Sequence, residues 1–137
     1  MKAIIVSRHK STQDLLSLIL RRNGFQFDVL DHVSDPEVLD QYTIILGNIP
    51  LSMFLRSKIG FYVAISLTIP KELRGKELGY KELLKYAEFV GFKKNIVFSD
   101  WAPREMAKAV VDAEIFLIDN IDAFLKQVKW LINMGSV

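Results

Sequence analysis

Short apolar runs alternate with segments of helical periodicity over the first 90 residues of the chain. Residues 3–7 (AIIVS) form the first run, which is typical of a strand buried on both faces. A helix is predicted next, with Ser11 as its N-cap and Gly24 just beyond its end. Further strands are predicted at residues 27–31, 43–47 and 61–69. This alternation favours βαβ units and therefore an α/β fold, with an open, mainly parallel, Rossmann-like sheet and helices on both faces.

The remaining segments complete one predicted domain over residues 1–137. The helical segments are predicted at residues 35–40 (DPEVLD, a single turn), at 53–57, at 80–89, from Pro103, and in a final amphipathic helix capped by Asp119 or Asn120. A strand is predicted near residues 96–98, and the apolar segment EIFLI lies between Pro103 and the final helix. We therefore interpret residues 91–137 as a C-terminal helical extension of the same domain, whose role the sequence leaves open.

Charge and residue usage exclude several classes of function. The chain has no cysteine, which excludes disulfides and thiolate metal sites, and its two histidines make a dedicated transition-metal site unexpected. Eighteen basic and sixteen acidic residues give a formal charge of +2, too small an excess for binding long nucleic acids. No apolar run is long enough for a membrane span or a secretory signal, so we expect a cytoplasmic protein. The residue counts given above lead us to expect no metal, and we expect no cofactor.

The segment Ser7-Arg8-His9-Lys10-Ser11 carries the strongest functional signal. It stands between a buried strand and a helix N-terminus, where free backbone N–H groups and the helix dipole favour an anion. A guanidinium matches phosphate oxygens, and an imidazole can move a proton near neutral pH. The alternative is that Arg8 and Lys10 are merely solvated and that Ser7 and His9 satisfy local backbone groups. Four such groups at the ligand-binding edge of an α/β sheet favour function.

Two other loops are predicted at the same edge. Gly47 and Asn48 follow the third strand, where Gly47 would allow close backbone approach and Asn48 would bond a ribose or base; turn chemistry explains them equally well. After the fourth strand, Arg74 could clamp a phosphate, with Gly75 and Lys76 beside it as ligand-binding candidates. The alternative there is an exposed charged loop. His32, after the second strand, is interpreted as structural.

Three motifs in order resemble a known family. A first strand ending in VSRH, a third ending in GNIP and a later LRGKEL are similar to a small CRISPR-associated family of type III systems, one of the minor Csx families grouped with ring nucleases. The resemblance covers roughly residues 3–80. Members often have proline after SRH, where this chain has Lys10. No GxGxxG or Walker pattern occurs, which argues against dinucleotide binding.

The resemblance implies a fold, a ligand and a reaction. It implies a CARF-related domain that binds cyclic oligoadenylate, with the tetra-adenylate ring favoured, across a two-fold homodimer. It also implies a metal-independent ring nuclease that linearises the ring to switch off antiviral signalling. In that reading Arg8 and Arg74 neutralise the phosphoryl oxygens, His9 transfers a proton, and Ser7 orients the phosphate, while Lys10 and Ser11 contribute to binding. Two alternatives stay open: a non-catalytic binder of the ring, acting as a sponge or sensor, and an interaction subunit that docks through its C-terminal helix.

Overall fold

One six-stranded sheet organises the part of the chain that the computed structural model describes, residues 2–96 and 111–134. Its strands are β1 (Lys2–Val6), β2 (Gln26–Leu30), β3 (Ile44–Gly47), β4 (Phe61–Leu67), β5 (Ala87–Ile96) and β6 (Val111–Ile118). They lie in the order β2-β1-β3-β4-β5-β6. The first four strands pair in parallel, and β5 runs antiparallel to both of its neighbours. The predicted α/β class with an open, mainly parallel sheet is therefore confirmed.

Helices cover both faces of this sheet, as predicted. They are α1 (Lys10–Arg22), α2 (Leu51–Arg56), α3 (Tyr80–Lys85) and α4 (Ile121–Asn133), together with two 3₁₀ turns, Pro36–Gln41 and Lys71–Leu73. Alternate residues of β1 point to opposite faces: Ala3 and Ile5 pack in the cluster that contains α1 and α4, whereas Ile4 and Val6 pack with α2 and the first 3₁₀ turn. None of the described helices is long and apolar enough to cross a membrane.

The helix α1 packs on the sheet through a buried apolar face and begins two residues earlier than predicted. Leu15, Leu16, Ile19 and Leu20 are each at most 2% exposed. Burial of one such side chain contributes about 1.5–3 kcal/mol, so the helix is held firmly against β1. The helix starts at Lys10 and His9 is its N-cap, with an extended backbone and no side-chain cap. The prediction of Ser11 as N-cap is thus wrong, because the chain already turns at His9, whose N–H donates to Ser7 Oγ at 3.2 Å.

The C-terminal third differs most from expectation. The helix predicted over 80–89 ends at Lys85, and residues 87–96 form β5. Within the described residues, 91–137 is not a helical extension, since it holds the end of β5 and the whole of β6 as well as α4. Gly91 of β5 shows the reason, because it lies so close to Phe116 of β6 that a Cβ at Gly91 would stand 2.3 Å from the Phe116 ring. This contact joins residues that are far apart in the sequence. The helix predicted from Pro103 lies outside the described residues.

Candidate functional site

A cleft of about 500 Å³ opens at the carboxyl ends of the central parallel strands. The chain passes from β1 to β2 on one side and then to β3 on the other, so strand order reverses around β1. Such a switch point is where open α/β sheets bind ligands, and the volume falls in the usual range of about 300–1,000 Å³. The lining residues are Val6, Ser7, Arg8, His9, Asp31, His32, Val33, Ser34, Asn48, Ile49, Pro50 and Met53.

The loop between β1 and α1 forms the first wall of the cleft. Ser7 is buried, and its backbone N–H donates to Leu30 O at 3.1 Å, which extends the parallel ladder beyond β1. Arg8 and His9 follow it and are exposed. His9 is also the N-cap of α1, and the dipole of that helix favours negative charge near its N-terminus. The predicted Ser7, Arg8 and His9 therefore lie together on the cleft.

The loop after β2 forms the second wall. Arg8 Nη2 lies 3.4 Å from His32 Nδ1, so the two loops meet through this pair. Gln13, on the first turns of α1, donates through Nε2 to both Ser7 O and Asp31 Oδ1, the latter at 2.8 Å. One amide thus ties the helix, the β1 loop and the β2 loop together and fixes the spacing of the two walls.

The loop after β3 forms the third wall. Asn48 N donates to Val6 O at 2.9 Å, which joins this loop to the end of β1. In the orientation that satisfies its neighbours, the Asn48 amide nitrogen donates to Gly47 O at 3.2 Å and to Ile65 O at 3.1 Å. These bonds hold the side chain against the sheet, which favours the turn interpretation of Asn48 over a ribose or base contact.

Gly47, predicted as a ligand-binding residue, does not line the cleft and instead permits the close approach of β1 and β3. Its φ is +133°, and a Cβ would stand 2.0 Å from Val6 O, a backbone atom that cannot move aside. We predict that Gly47→Ala lowers the free energy of unfolding by about 3 kcal/mol, measured by urea denaturation. Gly79→Ala is the control, because a Cβ at Gly79 meets nothing within 4 Å. A Gly47→Ala protein as stable as this control would contradict the prediction.

Tyr62 supports the same loop from β4. Its hydroxyl accepts from Ile49 N at 3.0 Å and lies 3.3 Å from Ile49 O, and burial raises the pKa of Tyr62. Tyr62→Phe leaves the Ile49 N–H without this partner, so we predict a loss of about 1–2 kcal/mol of unfolding free energy in urea. Tyr86→Phe is the matched control, since the Tyr86 hydroxyl bonds no described residue and should change little. Equal midpoints for the two variants would exclude this role of Tyr62.

Several predicted residues lie away from the cleft. Lys10 forms an exposed ion pair with Asp14 at 2.9 Å, and Ser11 is exposed on the first turn of α1. Arg74, Gly75 and Lys76 are exposed on the loop after β4, where Arg74 Nε donates to Ile69 O at 3.4 Å. That loop was expected to join the site. It does not line the cleft, because β4 lies two strands away from β1 and the β2 loop closes the cleft instead.

The loop after β2 has a larger part in the cleft than the sequence predicted, since His32 was interpreted as structural. Asp31 and His32 line the cleft, and Gln13 positions both of its first two walls. The signal was present, because Asp31 ends the strand predicted at residues 27–31 and His32 follows it, and the carboxyl end of that strand had to lie at the ligand-binding edge. Within residues 2–96 and 111–134, no group of three or more His, Asp or Glu side chains is arranged to hold a metal ion.

A second cleft, of about 410 Å³, lies between β6 and α4 and has different chemistry. Its lining combines aromatic rings with polar side chains: Phe61, Phe116, Phe124, Lys93, Asp119, Asn120 and Gln127. Among its described lining residues there is one ammonium and one carboxylate, but no guanidinium and no imidazole. The first cleft combines a guanidinium and two imidazoles with the carboxylate of Asp31, so it is the better site for an anion.

Fold and cleft together define an open α/β-sheet protein with a basic switch-point site. Residues 4–91, which run from the middle of β1 into β5 and include all three walls of the cleft, match the family model described as "Putative CRISPR-associated protein (Cas_VVA1548)". The chain belongs to this CRISPR-associated family. The same comparisons found no matching curated protein and no matching solved structure.

Proposed function

We propose that this CRISPR-associated protein is a metal-independent ring nuclease that binds cyclic oligoadenylate, in particular cyclic tetra-adenylate, and linearises it to end type III CRISPR signalling. The observation that carries the proposal is the convergence of Arg8, His9 and His32 on one cleft at the switch point of the sheet. These groups suit a phosphodiester, and membership of a CRISPR-associated family supports the choice of ligand.

The chemistry follows from the groups present. The ribose 2′-oxygen attacks its own 3′-phosphorus, the bond from phosphorus to the next 5′-oxygen breaks, and a 2′,3′-cyclic phosphate and a 5′-hydroxyl result. Arg8 neutralises charge on the phosphoryl oxygens, and the dipole of α1 adds to this effect at the N-cap His9. Ser7 Oγ already accepts from His9 N, so its hydroxyl proton is free to orient the phosphate. His9 supplies a proton to the leaving 5′-oxygen. Arg74 has no role in this mechanism, because it does not line the cleft.

A homodimer is part of the proposal. A ring of four identical nucleotides has symmetry that matches an isologous interface, which would present two equal clefts. Each cleft would then hold one phosphodiester with its flanking nucleosides. Light scattering at assay concentration should give twice the mass of the 15.7 kDa chain.

The experiment that tests the function is cleavage of labelled cyclic tetra-adenylate with and without EDTA. We expect linear products ending in 2′,3′-cyclic phosphate, at equal rates in both samples, because the nucleophile is an internal hydroxyl that needs no metal-bound water. Loss of cleavage in EDTA would contradict the metal-independent mechanism. A ring that binds but stays intact would favour the alternative of a non-catalytic binder, which the same basic cleft would serve.

A further inference from the structure

The two histidines of the chain lie on one cleft, although they come from different strands. His9 follows β1 and His32 follows β2, and these strands are parallel neighbours with Val6 opposite Leu30. Both imidazoles are exposed to the cleft rather than packed in either hydrophobic cluster. Cleavage by an internal hydroxyl requires two proton transfers, one from the nucleophile and one to the leaving oxygen, so two imidazoles match its needs.

The contact between His32 and Arg8 distinguishes the two rings. Arg8 Nη2 lies 3.4 Å from His32 Nδ1, and a guanidinium can only donate. Nδ1 can accept from this donor only in the tautomer of the neutral ring that carries its proton on Nε2. When Arg8 turns to a phosphate, the Nδ1 lone pair is released beside that phosphate, where a general base is needed. The His9 ring bonds no residue of the described chain and is free to act as the acid.

A purely structural role for His32 has little support. The side chain is exposed, and its contact at 3.4 Å is long for a hydrogen bond. Such a contact on the surface contributes little to stability. The walls of the cleft are tied together by Gln13 without any help from His32.

We infer that His32 is the second proton-transfer group of this site, an inference that rests on the proposed function. His32 Nδ1 takes the proton of the ribose 2′-hydroxyl as the bond from O2′ to phosphorus forms. The bond from phosphorus to O5′ breaks, and His9 gives its proton to that oxygen. One proton enters the histidine pair and one leaves it, and exchange with water restores both rings.

A sulfur-substituted ring separates the two roles. The probe is cyclic tetra-adenylate with sulfur in place of the bridging 5′-oxygen, because a thiolate leaves without a proton. We expect His9→Ala to cleave the ordinary ring about 100-fold or more slowly than wild type, but to recover on the sulfur ring. His32→Ala should be slowed about 100-fold on both rings, because the nucleophile is the same in each.

A conservative variant excludes a positioning role. In His32→Asn the amide oxygen can accept from Arg8 where Nδ1 does, yet it cannot transfer a proton. We expect His32→Asn to bind the ring with wild-type affinity and to be as slow as His32→Ala. A wild-type rate for His32→Asn or His32→Ala, or recovery of His32→Ala on the sulfur ring, would overturn the inference and leave the proposed function intact. Absence of cleavage by the wild-type protein would remove the proposed function itself.

Discussion

Replacement of His9 by alanine should abolish most ring cleavage while leaving the ring bound. We expect turnover of cyclic tetra-adenylate to fall by about 10²–10⁴-fold, since general acid catalysis by one positioned side chain contributes about that much. Affinity should stay near the wild-type value, because Arg8 supplies the charged contact to phosphate. Single-turnover assays at saturating protein and filter-binding of the labelled ring measure the two quantities separately.

Two observations control this result. His9 is exposed, so His9→Ala should unfold at the wild-type temperature and any loss of rate would not reflect unfolding. Added imidazole should restore part of the lost rate, because the cavity left by the ring opens to solvent. Unchanged turnover in His9→Ala would eliminate the proton-transfer role.

Arg8→Ala should weaken both binding and catalysis. The guanidinium is the forked donor of the cleft, so we expect a fall of about 10²–10³-fold in turnover and a clear loss of ring affinity. Arg8→Lys should recover part of the affinity but little of the rate, because an ammonium lacks the planar fork that matches two phosphate oxygens. The same cleavage and binding assays give both numbers.

Arg21→Ala is the matched control for this charge. Arg21 is also exposed, but it lies in the last turn of α1, near Phe27, at the other end of the helix from the cleft. Removing it lowers the net charge equally and should leave cleavage within about twofold of wild type. Equal losses in Arg8→Ala and Arg21→Ala would mean that only overall charge matters, against a specific phosphate contact.

The sequence allowed the first half of the fold to be predicted because its signals are local. An apolar run, a helix with a buried stripe and a glycine follow one another in β1, α1 and Gly24, so each boundary fell within two or three residues. The strand β5 was missed for the opposite reason. Residues 80–89 fit a helix by periodicity, and only pairing with β4 and β6 makes residues 87–96 extended. Gly91 beneath Phe116 is a contact between residues far apart in the chain.

The site was predicted in part, and strand order explains the difference. Arg8 and His9 follow the strand that became the centre of the parallel part, so their place at the cleft followed from the fold class alone. Which neighbouring loops join them depends on the crossover from β2 to β3, which composition and periodicity do not encode. For that reason the sequence predicted a structural role for His32, which lines the cleft, and a phosphate contact for Arg74, which does not.

The most direct test of the account is a structure of the protein with a ring that cannot be cleaved. Cyclic tetra-adenylate with 2′-O-methyl riboses lacks the nucleophile and should stay intact. We predict one phosphate of this ring within hydrogen-bond distance of the Arg8 guanidinium, with the adjoining 5′-oxygen facing His9. A ring seated elsewhere, for example in the cleft between β6 and α4, or a ring that does not bind at all, would contradict the central claim.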